Sequence, residues 1–394
     1  MPGCLYFALS LLMCNQVLGQ KTVNEYAEID RKALSVPHSS ETTVTGLGEY
    51  FNANFHNDHE KIRAIFRWIT ENISYDVENM YAINFDETTD DRISKCLKTH
   101  KGICENYAAL FTGICGQAGI KSVVIEGYTK QPGSRDFAPH AWCAAMIDTT
   151  WYLFDPTWGA GYIDKGKFVR KLNNEYFKAR PSWLSRTHLP FDCIWQLLNY
   201  PVTPGEFMSG SIQPATLKQY FNFNDSIAVY EKSDTAEQWM AAVRRIEQNG
   251  VKNTQTFERL QYLKREIETR KQNKIIELYN AAVADYNEGI KRFNDFIQYR
   301  NKQFTPKKTD PDIKAMIDGA ELKLTEARKG LKLISEPSKT TASMIVQLTG
   351  SIEDAASHVR EQQDWLKTYF SKNKMGRKAM FYERKVTWFG IPVN

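Results

Sequence analysis

The stretch KGICENYAALFTGICGQAGI, Lys101 to Ile120, sets Cys104 between a glycine-containing turn and a strongly helical run. Tyr107, Leu110, Phe111, Ile114 and Cys115 recur as one apolar helix face, and Gly119 marks its end. Cys104 therefore falls on the first turn. Unpaired backbone N–H groups and the positive end of the helix dipole favour a thiolate there over a thiol. The partners of such a thiolate must come from elsewhere in the chain.

They are sought downstream. KSVVIEGYTK (121–130) is rich in β-branched residues and reads as a strand, while QPGSRDFAP (131–139) reads as a loop by its Pro and Gly. HAWCAAMI (140–147) and WYLF (151–154) come next as strands joined at a short Asp148-Thr149 turn. A two-residue turn sets Ile147 opposite Thr150 and Trp142 opposite Asp155. His140 and Asp155 then share one face as diagonal neighbours, roughly 7–8 Å apart at the backbone. A turn one residue longer or shorter would send them to opposite faces. A His near the thiol can hold it as an ion pair and later protonate a leaving group, and a carboxylate on the other ring nitrogen fixes the tautomer. Each residue alone has a plainer reading: a core thiol, a strand-edge His, a turn-forming Asp before Pro156. In the order Cys, His, Asp on helix, strand, strand they are far more specific. Cys115 and Cys143 read as core residues, with Cys143 on the strand face opposite His140.

Upstream, HEKIRAIFRWITENISYD places Ile62, Ile65, Phe66 and Ile69 at helical spacing, with Asp58 as N-cap. Residues 86–91 read as a polar loop, and Cys96 reads as lying in a loop-like stretch shortly before Cys104. Beyond Gly210 the character changes to long helical patterns, 235–248 and 256–304, interrupted by Pro306 and Pro311. Two more helical stretches come after these, split at Glu336-Pro337. The stripe Phe257, Leu260, Leu263, Ile267, Ile276, Tyr279, Val283, Tyr286, Ile290, Phe293 and Ile297 has the spacing of a bundle or coiled-coil seam and reads as core.

The chain of 394 residues, 42% hydrophobic and 25% charged, is long enough for two domains. Residues 1–19 read as a signal peptide, from the apolar run Leu5–Met13 and the small Gly19, which implies export to a periplasm or the exterior. No other segment suggests a stable transmembrane anchor. The net charge of +5 is too mild to argue for nucleic acid; up to Gly210 there are 20 basic and 23 acidic residues, and beyond it 31 and 23. Removing residues 1–19 leaves five of the seven cysteines, an odd number, so at least one thiol is free or paired between chains. No cysteine pair has metal-ligand spacing, so neither a metal nor another cofactor is expected. The division expected is 20–210, holding the Cys-His-Asp set, and 211–394, a helical region ending in an extended tail that docks its aromatics from Met380 onward.

GICENYAALFTGICGQAGI, HAWCAAMID and WYLFDPTWGAGY resemble the three core motifs of the transglutaminase-like superfamily. FRWITENISYD and NEYFKARPSWLSRTHLPFDCIWQLL resemble its kyphoscoliosis-peptidase-like branch. The resemblance runs from about Tyr26 to Phe207. It implies an α+β, papain-like core of helix plus antiparallel sheet, with Cys104 as nucleophile, His140 as general base and acid, and Asp155 as orienter. A second oxyanion donor is sought near Trp68 or in Asn72–Tyr75, and His188 reads as structural. The function implied is an exported thiol hydrolase acting on peptide or protein amide bonds; the alternative is a silent module that binds peptide or glycopeptide. The all-α region beyond lies outside the resemblance, and its partner is unknown.

Overall fold

A computed structural model of the protein describes residues 25–80, 87–130 and 137–382. The leader-like residues 1–19 and the tail beyond Tyr382 lie outside these. The chain divides into two compact units, Met1–Leu260 and Gln261–Asn394. The first unit thus extends past residue 210, where the sequence pattern changes. Among the described residues, no helix is long and apolar enough to cross a membrane.

The first unit opens with α1 (Ala27–Ala33), α2 (Val44–Asn54) and α3 (Asp58–Asn72). Asn57 caps α3 through Glu60 N–H, so Asp58 lies inside the first turn and complements its dipole. The short β1 (Ser74–Tyr75) pairs in parallel with β2 (Lys101–Gly102), and α4 (Thr89–Thr99) lies between them in sequence. The polar run expected to be a loop hides the N-terminus of α4: Thr88 and Asp91 form a reciprocal capping box. Cys96 is accordingly helical and buried, not in a loop.

Next come α5 (Cys104–Gln117), β3 (Ser122–Lys130), β4 (Phe137–Ile147) and β5 (Thr150–Phe154). The β4–β5 hairpin pairs Ile147 with Thr150 and Cys143 with Phe154, the register that the two-residue turn requires. After α6 (Pro156–Ala160), β6 (Gly161–Asp164) and β7 (Lys167–Arg170) form a second hairpin; α7 (Pro181–Leu184) and β8 (His188–Pro190) come later. The main sheet is antiparallel, in the order β5-β4-β3-β8. Residues Ala141–Ala145 of β4 are all buried, so both strand faces are covered there. Phe66 of α3, Phe111 of α5 and Phe154 of β5 belong to the core.

Around residue 210, α8 (Pro204–Ser209) leads to α9 (Phe223–Lys232) and α10 (Thr235–Asn249). Ile227 joins the core of the first unit, and Arg245 grips both carboxylate oxygens of Asp192 at 2.7 and 2.6 Å. These contacts hold α9 and α10 in the first unit, although their composition resembles that of the later helices.

The second unit is helical: most of α11 (Thr254–Asn301), then α12 (Asp310–Lys332), α13 (Lys339–Ser371) and α14 (Lys374–Ala379). Pro311 sits in the first turn of α12, where its missing N–H costs nothing. The buried positions of α12 are Ile313, Ile317, Ala320, Leu324, Ala327 and Leu331, spaced by three and four as in a coiled-coil seam. The α11 stripe is core only in part, since Phe257 and Ile276 are about half exposed, at 52% and 51%.

Candidate active site

Cys104 occupies the first position of α5, preceded by Ile103 in extended conformation. Asn106 fixes this start: its Oδ1 accepts Ile103 N–H at 2.9 Å, and its Nδ2 donates to Arg92 O at 3.3 Å. The thiol is partly exposed. Among the described residues the remaining thiols, Cys96, Cys115, Cys143 and Cys193, are buried and unpaired. Burial pushes Cys96 and Cys193 up to about 12, and Cys115 and Cys143 are also raised by burial. Cys143 lies three residues after His140, hence on the other strand face, with its Sγ 3.7 Å from Ala108 O of α5.

His140 and Asp155 meet as the hairpin register requires, with Nε2 2.9 Å from Oδ2. Both are buried. Burial pulls the His140 imidazole down, but the charge and hydrogen bond of Asp155, with a further hydrogen bond from Cys104, outweigh it and push it up to about 10. With Nε2 committed to Asp155, Nδ1 is the nitrogen that serves Cys104. The same balance holds the Asp155 carboxyl well below the usual range: burial raises it, while His140 and then His188 lower it further.

Asp155 also caps α6. Its Oδ1 accepts Thr157 N–H at 2.9 Å and Trp158 N–H at 3.1 Å, and its own N–H donates to Tyr176 O at 3.0 Å. The turn-forming role before Pro156 and the partnership with His140 therefore coexist in one side chain.

His188 comes from β8, across β3 from His140, with its Nε2 3.0 Å from the same Oδ2 of Asp155. The sequence alone reads it as a packing residue, and nothing local announces the contact, because β8 reaches the site only by pairing with β3. Gly127 of β3 makes room for this arrangement. A Cβ there would stand 2.2 Å from Leu189 O and 2.7 Å from Cη2 of Trp142. The rings of Trp142, Trp158 and His188 surround His140 at centroid distances of 6.0, 5.8 and 5.4 Å.

His140, Asp155 and His188 also bring three potential metal-ligating atoms within 4.8 Å of one another. Both imidazole Nε2 atoms already aim at a single carboxylate oxygen. A metal ion would have to displace both of these hydrogen bonds, so the geometry suits proton bonding better than ligation.

Cys104 and His140 line a cleft of about 1030 Å³ with Tyr75, Trp158, Tyr162 and Ile163. Glu126 and Arg259, also in its wall, form an ion pair. Glu105, next to Cys104, is raised by burial despite Arg92 Nη1 2.9 Å away. Of the segment searched for a second oxyanion donor, Trp68 is in the core, Asn72 Nδ2 donates to Trp68 O at 2.8 Å, and Tyr75 reaches the cleft.

Residues 46–156 match the family model of the Transglutaminase-like superfamily. Kyphoscoliosis peptidase of Mus musculus is 34% identical over 186 residues, 44% of this chain and 28% of that protein. Hillarin of Drosophila melanogaster is 31% identical over 203 residues, 46% of this chain and 24% of that protein. The chain thus matches under a third of the length of these relatives. Among solved structures, the periplasmic domain of TgpA from Pseudomonas aeruginosa aligns with a TM-score of 0.24 and 18% identity, over 33% of this chain and 47% of that one. The segment that joins Cys104, His140 and Asp155 is a transglutaminase-like domain, and over fewer than half of its residues the chain is similar to the kyphoscoliosis-peptidase-like branch of that superfamily.

Proposed function

We propose that the first unit is a thiol hydrolase that cleaves peptide or amide bonds through an acyl-enzyme on Cys104. The observation that carries this reading is the buried His140–Asp155 pair beside a partly exposed cysteine on a helix N-terminus. In the proposed reaction His140 holds the proton of Cys104, and the thiolate sulfur attacks the amide carbonyl carbon. The backbone N–H of Cys104, at the first position of α5, is the donor offered to the developing oxyanion. Collapse breaks the C–N bond as His140 gives its proton to the leaving amine. A water then attacks the thioester, His140 takes its proton, and return of that proton to sulfur releases the acid. Asp155 keeps the proton on Nε2 throughout, so Nδ1 alone exchanges.

The cleft volume is at the upper end of the roughly 300–1,000 Å³ of ligand sites, which suits an extended peptide. The test combines a fluorogenic peptide library with labelled iodoacetamide on the full chain. Cys104 should alkylate first, at mildly acidic pH, and Cys104→Ala should abolish hydrolysis while melting like the parent. Hydrolysis that survives in the alanine variant would refute the nucleophile. A chain with no privileged thiol would instead be a silent module that holds peptide in the cleft.

A further inference from the structure

We propose that His188 is a positioning residue of the Cys104 site, holding through its Nε2–H the same Asp155 oxygen that orients His140. The inference rests on the thiol-hydrolase reading and adds a fourth side chain to it.

Counting hydrogen-bond sites comes first. An ionised carboxylate offers about four acceptor positions. Asp155 has four donors within reach: Thr157 N–H at 2.9 Å and Trp158 N–H at 3.1 Å on Oδ1, His140 Nε2 at 2.9 Å and His188 Nε2 at 3.0 Å on Oδ2. The carboxylate is saturated, and it has no freedom to rotate without breaking a bond. As it can only accept, both imidazoles carry their protons on Nε2.

The Asp155 bond thereby leaves His188 Nδ1 as an acceptor. This nitrogen stands 2.9 Å from Thr187 Oγ1, whose one hydroxyl hydrogen is shared between it and Leu184 O at 3.3 Å. Burial lowers the His188 pKa, and the charge of His140 adds to that, against the pull of Asp155. His188 is therefore a neutral dipole, with its N–H end aimed at the carboxylate and its hydroxyl partner behind it. It is fully enclosed, with Trp158 and Trp142 at ring distances of 4.6 and 5.2 Å, so water cannot replace it as donor.

The consequence for chemistry has a sign. The other titratable groups felt at Asp155 are Tyr107, Cys143 and Tyr176, and burial keeps all three protonated. Tyr176 also borders His188, at a ring distance of 6.1 Å. The titratable partners left at the carboxylate are then the two imidazoles. Removing the His188 donor destabilises the ionised form of Asp155 and raises its pKa. Within the working pH range the carboxylate stays ionised, but with one donor gone it is free to turn from His140 Nε2, the imidazolium is held less firmly, and the thiolate it supports is lost at higher pH.

The experiment is the rate of Cys104 alkylation by iodoacetamide between pH 4 and 9, followed by mass spectrometry on the full chain. The parent is compared with His188→Leu, His188→Gln and Thr187→Val. The leucine variant should shift the acid limb up by about one pH unit, within the range over which a changed partner moves an ionisable group. Glutamine, whose amide N–H can reach Oδ2, should restore most of the parent profile, and Thr187→Val should shift it less but in the same direction. A folded leucine variant with the parent profile would leave His188 a space-filling residue and overturn the proposal. If the leucine variant fails to fold, Thr187→Val decides: a shifted profile supports the assignment, and a profile superposed on the parent overturns it. A parent chain whose Cys104 reacts no faster than an ordinary thiol would defeat the hydrolase reading itself, and the role of His188 with it.

Discussion

His140 and Asp155, fifteen residues apart in sequence, are joined at 2.9 Å by a hairpin whose turn has two residues. The carboxylate that orients the imidazole also caps a helix and receives a second imidazole.

Asp155→Asn should for that reason damage stability as well as chemistry. If the new amide keeps its oxygen toward Thr157 and Trp158, its NH₂ faces two Nε2–H donors. Breaking a buried charged pair of this kind costs about 3–5 kcal/mol, and wrong-tautomer losses reach about ten-thousand-fold in turnover. Urea denaturation alongside peptide hydrolysis checks both effects. Retained stability and turnover would mean that the carboxylate is not the orienting group.

The same pair gives stability a pH dependence. His140 is raised from 6.5 to about 10 in the folded chain, so its contribution is full below 6.5 and is lost as pH rises toward 10. Asp155 is depressed, so its contribution is present above its ordinary 3.8 and is lost as pH falls below that. His188 acts in the opposite sense to His140: its lowered pKa makes the unfolded chain the better proton acceptor as pH falls below 6.5. The difference in unfolding free energy between the parent and His140→Gln should be largest near pH 5–6 and shrink steadily on the alkaline side. A difference that stays flat from pH 6 to 10 would contradict the coupling.

The range of each interaction decides whether the sequence discloses it. The helix holding Cys104 and the hairpin holding His140 and Asp155 depend on spacing within short segments, and those are legible. The contact of His188 with Asp155 depends on β8 pairing with β3 through the register Thr129–His188, set by long-range topology, so no local pattern encodes it. The start of α4 escapes a sequence reading because Thr88 and Asp91 look like loop residues until their reciprocal bonds are seen. Composition puts the change of character near residue 210, whereas the Arg245–Asp192 pair keeps later helices with the first unit.

Arg63 is a buried charge that the amphipathic pattern of α3 does not reveal. Its guanidinium is fully enclosed, bonds both oxygens of Asp30 at 2.7 and 2.8 Å and Asn174 Oδ1 at 2.8 Å, and lies over the Tyr26 ring at 4.4 Å. Asp30→Ala would strand that charge and should cost about 3–5 kcal/mol, with activity per folded molecule unchanged. The double variant Asp30→Leu with Arg63→Met should recover much of the loss, because apolar replacement avoids the desolvation of both ions. Equal instability of single and double variants in urea would argue against this account.

Tyr162 and Ile163 on β6 are large, apolar and about half exposed, at 52% and 45%, and both line the cleft. The hairpin bearing them is pinned by Arg170, which bonds Ile73 O at 2.9 Å and Ser74 Oγ at 2.8 Å. Since the core does not need these two side chains, Tyr162→Ser and Ile163→Ser should leave stability within about 0.5 kcal/mol. Under the hydrolase reading, each should raise KM about tenfold or more for peptides with bulky apolar side chains, the scale of a lost apolar contact. Calorimetric titration of the same peptides into Cys104→Ala separates binding from turnover. Unchanged affinity in both serine variants would remove the hairpin from the substrate site.

Phe304 gathers the aromatic cluster of the second unit, with ring centroids of Tyr369, Tyr299, Phe381, Trp365 and Phe296 at 5.1, 5.3, 5.7, 6.2 and 6.2 Å. Phe381 also contacts Trp365 at 5.7 Å and Tyr369 at 5.6 Å, while Met380 beside it is buried. Met380 and Phe381 therefore dock as expected, but in a turn after the short helix α14 rather than as an extended segment, and Tyr382 stays exposed. Arg377 of that helix bonds both oxygens of Asp310 at 2.8 and 2.7 Å, which fastens it to the start of α12. Burying such side chains stabilises by roughly 1.5–3 kcal/mol each, more than the exposed charges nearby usually contribute. Truncation after Ala379 should lower the melting temperature of the second unit by several degrees, and Phe381→Ala alone should reproduce much of that loss. A truncated chain that melts unchanged but no longer associates with anionic vesicles would show instead that the tail serves a surface rather than the core.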